Sequence, residues 1–235
     1  MLPSAICAEI EAVAYQYWRV QVAAGIPLLA NCDKSGFGQR AAVEVEEQTR
    51  ECLRRHFPCD QELREDGTAA NRSIGDVWLS YDGLAHPVNV KTGGPNASSP
   101  NVVSLNKLAR ALAERRIDSY GLLVVRFLAP SAPPLTAFVD LLDWLDLCRY
   151  DAGPGQLMLS AAAFARLAEG ERRRQSSARD IGAVLDRLLA LARDGDERLF
   201  HNRRQRTASL GRAVMRFPGE HTPLDQSALQ LGLHR

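Results

Sequence analysis

The chain has 235 residues, 46% hydrophobic and 24% charged, which suits one large globular domain, or one domain with a modest appendage, and a real core. A net charge of +1 excludes a protein that binds nucleic acid by bulk charge, and no apolar run approaches the length of a membrane span. The five cysteines (Cys7, Cys32, Cys52, Cys59, Cys148) are odd in number and scattered, which suits reduced thiols and predicts a cytoplasmic location.

Residues 5–24 carry apolar positions at helical spacing. Glu9 and Glu11 in the first turns mark a first helix and not a signal peptide. A polar connection over 28–39 leads to a second helix from about Arg40 to Phe57, stopped by Pro58, with Ala42, Val45, Thr49, Cys52, Leu53 and His56 as its inner stripe. Cys52, His56 and Cys59 raise zinc, but no second ligand pair follows and packing is the preferred reading. DVWLSYDG is a short strand with Val77, Leu79 and Tyr81 alternating, turning at Asp82-Gly83 into a second strand, LAHPVNVK; His86, beside Pro87, reads as a turn residue. A glycine-, proline- and asparagine-rich loop follows, then a helix over VSLNKLARALAERR and a strand, YGLLVVRFLAP, apolar enough to be buried on both faces. LTAFVDLLDWLDL begins as a strand and continues as a helix; LSAAAFARLAEGERRR and SARDIGAVLDRLLALARDGDERL are helical, and the tail from His201 is basic without a clear period. Trp78 and Trp144 are expected in the core. The whole predicts one α/β domain, residues 1–235, in which a central mixed sheet is flanked by helices and the part from about 135 to 216 is helical and basic.

The informative chemistry lies between Asn71 and Asn106. With a turn at Asp82-Gly83, the start of the first strand lies beside the end of the second, so Asp76 approaches Asn89 and Lys91. Asn89 and Lys91, two apart, share a face. A carboxylate, a second oxygen ligand and an ammonium then converge on one small volume. Such a cluster can hold a hard cation that polarises a phosphoryl oxygen and acidifies a water, while the lysine stabilises developing negative charge.

The stretch IGDVWLSYDGLAHPVNVKTGGPN, with the helix before it, resembles the catalytic core of type II restriction endonucleases of the PD-(D/E)xK superfamily, over about residues 40–128. The resemblance implies a magnesium-dependent, sequence-specific double-stranded DNA endonuclease, with Mn2+ able to substitute for Mg2+. It casts Asp76 as metal ligand, Asn89 in the second-acid position and Lys91 as catalytic lysine, with one glutamate from the preceding helix. Among Glu44, Glu46 and Glu47, Glu46 is favoured because it lies beside the inward stripe, and Glu47 is the runner-up. Two departures from the family pattern stand out: Gly75 replaces the proline before the aspartate, and Asn89 offers a neutral amide where an acid is usual.

DNA contact is expected from two segments. The loop carrying Thr92, Asn96, Ser98, Ser99, Asn101 and Asn106 leaves the active-site strand with small polar groups suited to phosphate or base edges. The tail segment Asn202-Arg203-Arg204-Gln205-Arg206 has side chains that suit guanine and adenine in the major groove; residues 171–216 around it hold twelve arginines against six acids. The family's cleavage of both strands of a palindrome implies a homodimer, with a cognate DNA methyltransferase in the same host. Competing readings are a structure-specific repair or recombination nuclease of the same fold, a non-catalytic DNA-binding relative, and an α/β protein unrelated to DNA.

Overall fold

Asp82 and Gly83 take φ of 51° and 72°. Two successive left-handed residues are what a tight two-residue hairpin of the primed type requires. They join β2 (Val77–Tyr81) to β3 (Leu84–Gly93) in the register Tyr81↔Leu84 through Val77↔Val88. This computed structural model describes residues 2–30, 39–60, 73–95, 100–171 and 179–215. The chain divides into two compact units, Met1–Asp196 and Glu197–Arg235.

In the first unit the hairpin is the middle of a five-stranded mixed sheet. β1 (Cys59–Asp60) pairs with β2, β3 pairs in parallel with β5 (Gly121–Arg126), and β6 (Leu135–Asp140) closes the far edge antiparallel to β5. One face carries Val77, Leu79, Val88, Val90, Leu123 and Val125. It packs against α1 (Ser4–Ala23), through Ile10, Ala14 and Trp18, and α2 (Gln39–His56), through Val45 and Leu53. The Trp18 indole N–H donates to the buried Thr49 hydroxyl at 2.9 Å and locks the two helices together. The opposite face, with Trp78, Leu122, Val124, Ala137 and Val139, packs on α3 (Leu105–Ala113), α4 (Ala161–Ala168) and the start of α5 (Ile181–Met215). Covering both faces explains why Val77, Trp78 and Leu79 are all buried instead of alternating.

Several expectations are corrected. His86 is not a turn residue: the turn is already complete at Gly83, so His86 is the third residue of β3, buried, with Nδ1 3.1 Å from the Ser119 hydroxyl. Burial pushes its pKa below the ordinary imidazole value. Pro87 is tolerated in β3 because the β5 ladder begins only at Val88. His56 is exposed, its Nδ1 bonded to the Cys52 carbonyl at 2.8 Å, as suits a residue in a helix's last turn. Part of the expected loop from Thr92 to Asn106 belongs to regular elements. Thr92 belongs to β3, Asn101 opens β4 (Asn101–Ser104), and Asn106 lies in the first turn of α3. β4 joins β8 (Gln156–Leu159) and β7 (Cys148–Asp151) in a second, three-stranded sheet, so the region from 135 onward is not purely helical. Leu141–Leu147 is a 3-10 helix. The segment from His201 continues helically to Met215, because no proline interrupts it before Pro218. No described helix is long and apolar enough to cross a membrane.

The start of α5 is tied to the sheet by a buried ion cluster. Arg179 holds Asp140 at 2.7 Å and Asp143 at 2.6 Å, and Asp140 also accepts the Tyr120 and Leu142 N–H groups at 3.2 and 3.0 Å. Removing the guanidinium strands a buried carboxylate. Arg179→Met is therefore expected to destabilise the protein by about 3–5 kcal/mol. Urea denaturation at pH 7 measures this; a loss below about 1 kcal/mol, the range of an exposed pair, rejects a fastening role.

Candidate functional site

Three elements meet at one end of the hairpin. Extending the β2–β3 register by one residue beyond Val77↔Val88 brings Asp76 opposite Asn89. The Asp76 N–H donates to the Val88 carbonyl at 2.8 Å, and its carboxylate Oδ2 accepts the Val90 N–H at 2.9 Å. The side chain thus takes over where the β2 backbone ladder ends. Gly75, just before it, is required by space: a Cβ there would stand 2.9 Å from Pro87 Cβ and 3.1 Å from the Val77 carbonyl oxygen.

α2 supplies the second carboxylate. Val45 and Thr49 face the core, and Glu46 beside Val45 reaches the end of β3. Its Oε1 accepts the Thr92 N–H at 3.3 Å and its Oε2 lies 3.7 Å from Lys91 Nζ. Among the three helix acids considered from sequence, Glu46 meets Lys91. Glu44 is exposed and accepts from Gln48, whereas Glu47 turns to Arg50 and, at 3.6 Å, to Arg54. Burial raises the Glu46 pKa; repulsion by Asp76 adds to this, and Lys91, the Thr92 N–H and Arg50 oppose it.

Sequence reasoning missed Arg50. Its Nη1 lies 3.1 Å from Asp76 Oδ1 and its Nη2 is paired with Glu47, while its Nε is buried without a partner. The signal was present: Arg50 is one helical turn from Glu46 and three residues from Glu47, so it faces the same volume. Arg54 Nη2 also donates to the Asp76 carbonyl, at 3.3 Å.

Asn89 is buried on the opposite face of β3 from Val88 and Val90. Its Nδ2 donates to the Val102 carbonyl at 2.9 Å and to the Tyr120 hydroxyl at 3.2 Å, leaving Oδ1 buried with no partner. Among the described residues no group of three or more His, Cys, Asp or Glu side chains is placed to hold a metal ion. The oxygen donors here are two carboxylates and one amide. That set fits a hard divalent cation, which takes neutral amide oxygens with carboxylates and keeps several waters, and the orphaned Oδ1 is an acceptor in want of such a partner.

The expected DNA contacts fall in both units. Thr92 is buried and its hydroxyl donates to the Val125 carbonyl at 2.9 Å, so it is a core residue; Asn101 is exposed at the start of β4. Asn96, Ser98 and Ser99 lie outside the described residues. In the second unit Asn202, Arg203, Arg204, Gln205 and Arg206 are all exposed on α5. Gln205 Nε2 lies 2.7 Å from His201 Nε2, and the Arg204 guanidinium stacks 5.7 Å over the Phe200 ring. Five consecutive helical residues radiate around the axis, so only some can face one surface.

No protein-family model matches the chain, and no curated protein matches it.

The raised Glu46 pKa fixes the sign of a pH effect. The native state keeps a proton on Glu46 that the unfolded chain has lost, so ionising it costs stability as pH rises from about 4.5 through the folded-state value. Urea denaturation in EDTA is expected to show the wild type losing stability relative to Glu46→Gln over that rise. The opposite slope would mean that Lys91 and the Thr92 N–H outweigh burial.

Proposed function

We propose that this protein is a magnesium-dependent, sequence-specific double-stranded DNA endonuclease of the PD-(D/E)xK kind, with a restriction-endonuclease-like core. The observation that carries the reading is the convergence of Asp76, Glu46 and Lys91 at one end of a helix-covered hairpin, where Asn89 stands opposite Asp76 in the strand register. The mixed sheet with helices on both faces supports it.

In this reading Asp76, Glu46 and Asn89 Oδ1 hold the magnesium ion, or manganese in its place. The cation supplies positive charge to a phosphoryl oxygen and makes a water molecule more acidic. Lys91, held near Glu46, directs its ammonium at the negative charge that grows on phosphorus during in-line attack. Arg50 leaves Asp76 for the phosphate backbone, where a planar guanidinium binds two oxygens at once. Asn101 and Asn106, with Asn202, Arg203, Arg204, Gln205 and Arg206 in the second unit, remain the proposed DNA contacts. Two copies of the chain, one for each strand of a palindrome, complete the assembly, and a methyltransferase that protects host DNA is its expected companion.

A second reading draws on Arg50. The acids of the site already have cationic partners: Asp76 pairs with Arg50, Glu46 with Lys91, and Glu47 with Arg50 and Arg54. That self-neutralised cluster also suits a DNA-binding protein that keeps the fold without cutting.

Incubation of phage and plasmid DNA with Mg2+ or Mn2+ separates the two. Cleavage is expected to give discrete fragments, and Lys91→Ala to slow it by about 10²–10³-fold, the usual cost of removing one group that stabilises transition-state charge. DNA retention in a gel shift without cutting by either metal supports the non-catalytic reading and overturns the nuclease.

A further inference from the structure

Asn89 stands where the resemblance to the PD-(D/E)xK superfamily leads one to expect an acid, and its surroundings explain why an acid does not fit. We propose that Tyr120 is a positioning residue that holds side chain 89 as a neutral amide and leaves Oδ1 as a buried acceptor without a protein partner. The Tyr120 hydroxyl donates its one proton to the Ile74 carbonyl, so towards Asn89 it presents a lone pair. The Val102 carbonyl can likewise only accept. Asn89 meets these two acceptors with the two protons of one amide nitrogen, and its orientation follows: the flipped amide would set Oδ1 against two oxygens. Tyr120 itself cannot yield, because it is fully buried and its backbone N–H is held by Asp140 at 3.2 Å, which Arg179 holds in turn.

The consequence is chemical. An aspartate at position 89 would press a carboxylate oxygen against the Val102 carbonyl and the Tyr120 oxygen inside the protein. The pocket therefore selects an amide at position 89. What Oδ1 then holds, a cation, rests on the function proposed above. The donor network does not.

Two measurements without metal test the network. In EDTA, Asn89→Asp is expected to melt near the wild type at low pH, where the new carboxyl is protonated and can donate. Its melting temperature should fall progressively below the wild type's as pH rises, because the native state retains a proton that the unfolded chain has lost. In the 15N-labelled wild type, both Asn89 side-chain amide protons are expected to be protected from solvent exchange, and in Tyr120→Phe one of them to exchange at least about tenfold faster as its acceptor is removed. The second measurement decides the matter if Asn89→Asp does not fold. Melting curves of Asn89→Asp that stay parallel to the wild type at every pH overturn the proposal. So do wild-type amide protons that exchange freely.

Magnesium alone provides the last arm. A wild-type melting temperature that rises with Mg2+, and an Asn89→Asp deficit at high pH that narrows with it, extend the role to the cation. An intact network with no magnesium shift upholds Tyr120 as the positioning residue and overturns the cation reading.

Discussion

The geometry of the site descends from the register of one hairpin. Asp82 and Gly83, both left-handed, allow only two residues in the turn, so Tyr81 must pair with Leu84 and every later pair follows. That register puts Asp76 beside Asn89 and lets its carboxylate cap the Val90 N–H. The same register buries Val88 and Val90 under α1 and α2 and turns Asn89 towards Tyr120. A slip of one residue would exchange the two faces of β3, sending Asn89 into an aliphatic core and Val88 and Val90 among polar partners. Folding and site assembly are thus enforced by the same apolar burial, and the polar cluster does not have to specify its own alignment.

The cluster also has to survive in the absence of a ligand. Glu46 is largely buried and close enough to Asp76 to feel its charge. Two carboxylates so placed repel one another, and the protein answers with Lys91 on one and Arg50 on the other. Any incoming cation competes with Arg50 for Asp76. The competition is uneven, because Arg50 keeps Glu47 as a second partner and loses only one of its two ion pairs by releasing Asp76. A guanidinium that can let go of one acid while tethered to another is compatible with the cation and phosphate of the proposed function.

Much of this was legible from sequence where local chemistry decides the outcome. The Asp82-Gly83 turn, the strands around it, the Val45/Thr49/Leu53 stripe and the buried YGLLVVRF strand each follow from turn preference or apolar period. Illegible were the parts decided by partners distant in the chain. β4, β7 and β8 are only four residues each and make sense only as a sheet. His86 is buried because Ser119 comes to meet it. The amide at position 89 looked like a weakened acid because Val102 and Tyr120, thirteen and thirty-one residues away, were not in view. Arg50 differs from these: its spacing from Glu46 and Glu47 was readable, but a search for acids passed over a base.

The second unit shows a different limit of reading residues as a string. Asn202 to Arg206 looked like one recognition element because basic and amide side chains are adjacent. On a helix adjacency in sequence means separation by about 100° around the axis. The surface that can lie along a groove is a stripe, on which Asn202 is joined by Arg198 and Arg206, with Gln205 at its edge; Arg203 and Arg204 belong to other faces. Arg204 already lies over Phe200, which uses its flat face for an aromatic neighbour. Between Arg198 and Met215 there are five arginines and no acid. Positive charge is therefore spread around this helix, whereas on the proposed function any base contact made by this helix would fall to the Asn202 stripe. In general, phosphate contacts position a nucleic acid and base contacts specify it, so for the proposed DNA ligand the face that carries Asn202 with Arg198 and Arg206 matters more than the count of arginines along the helix.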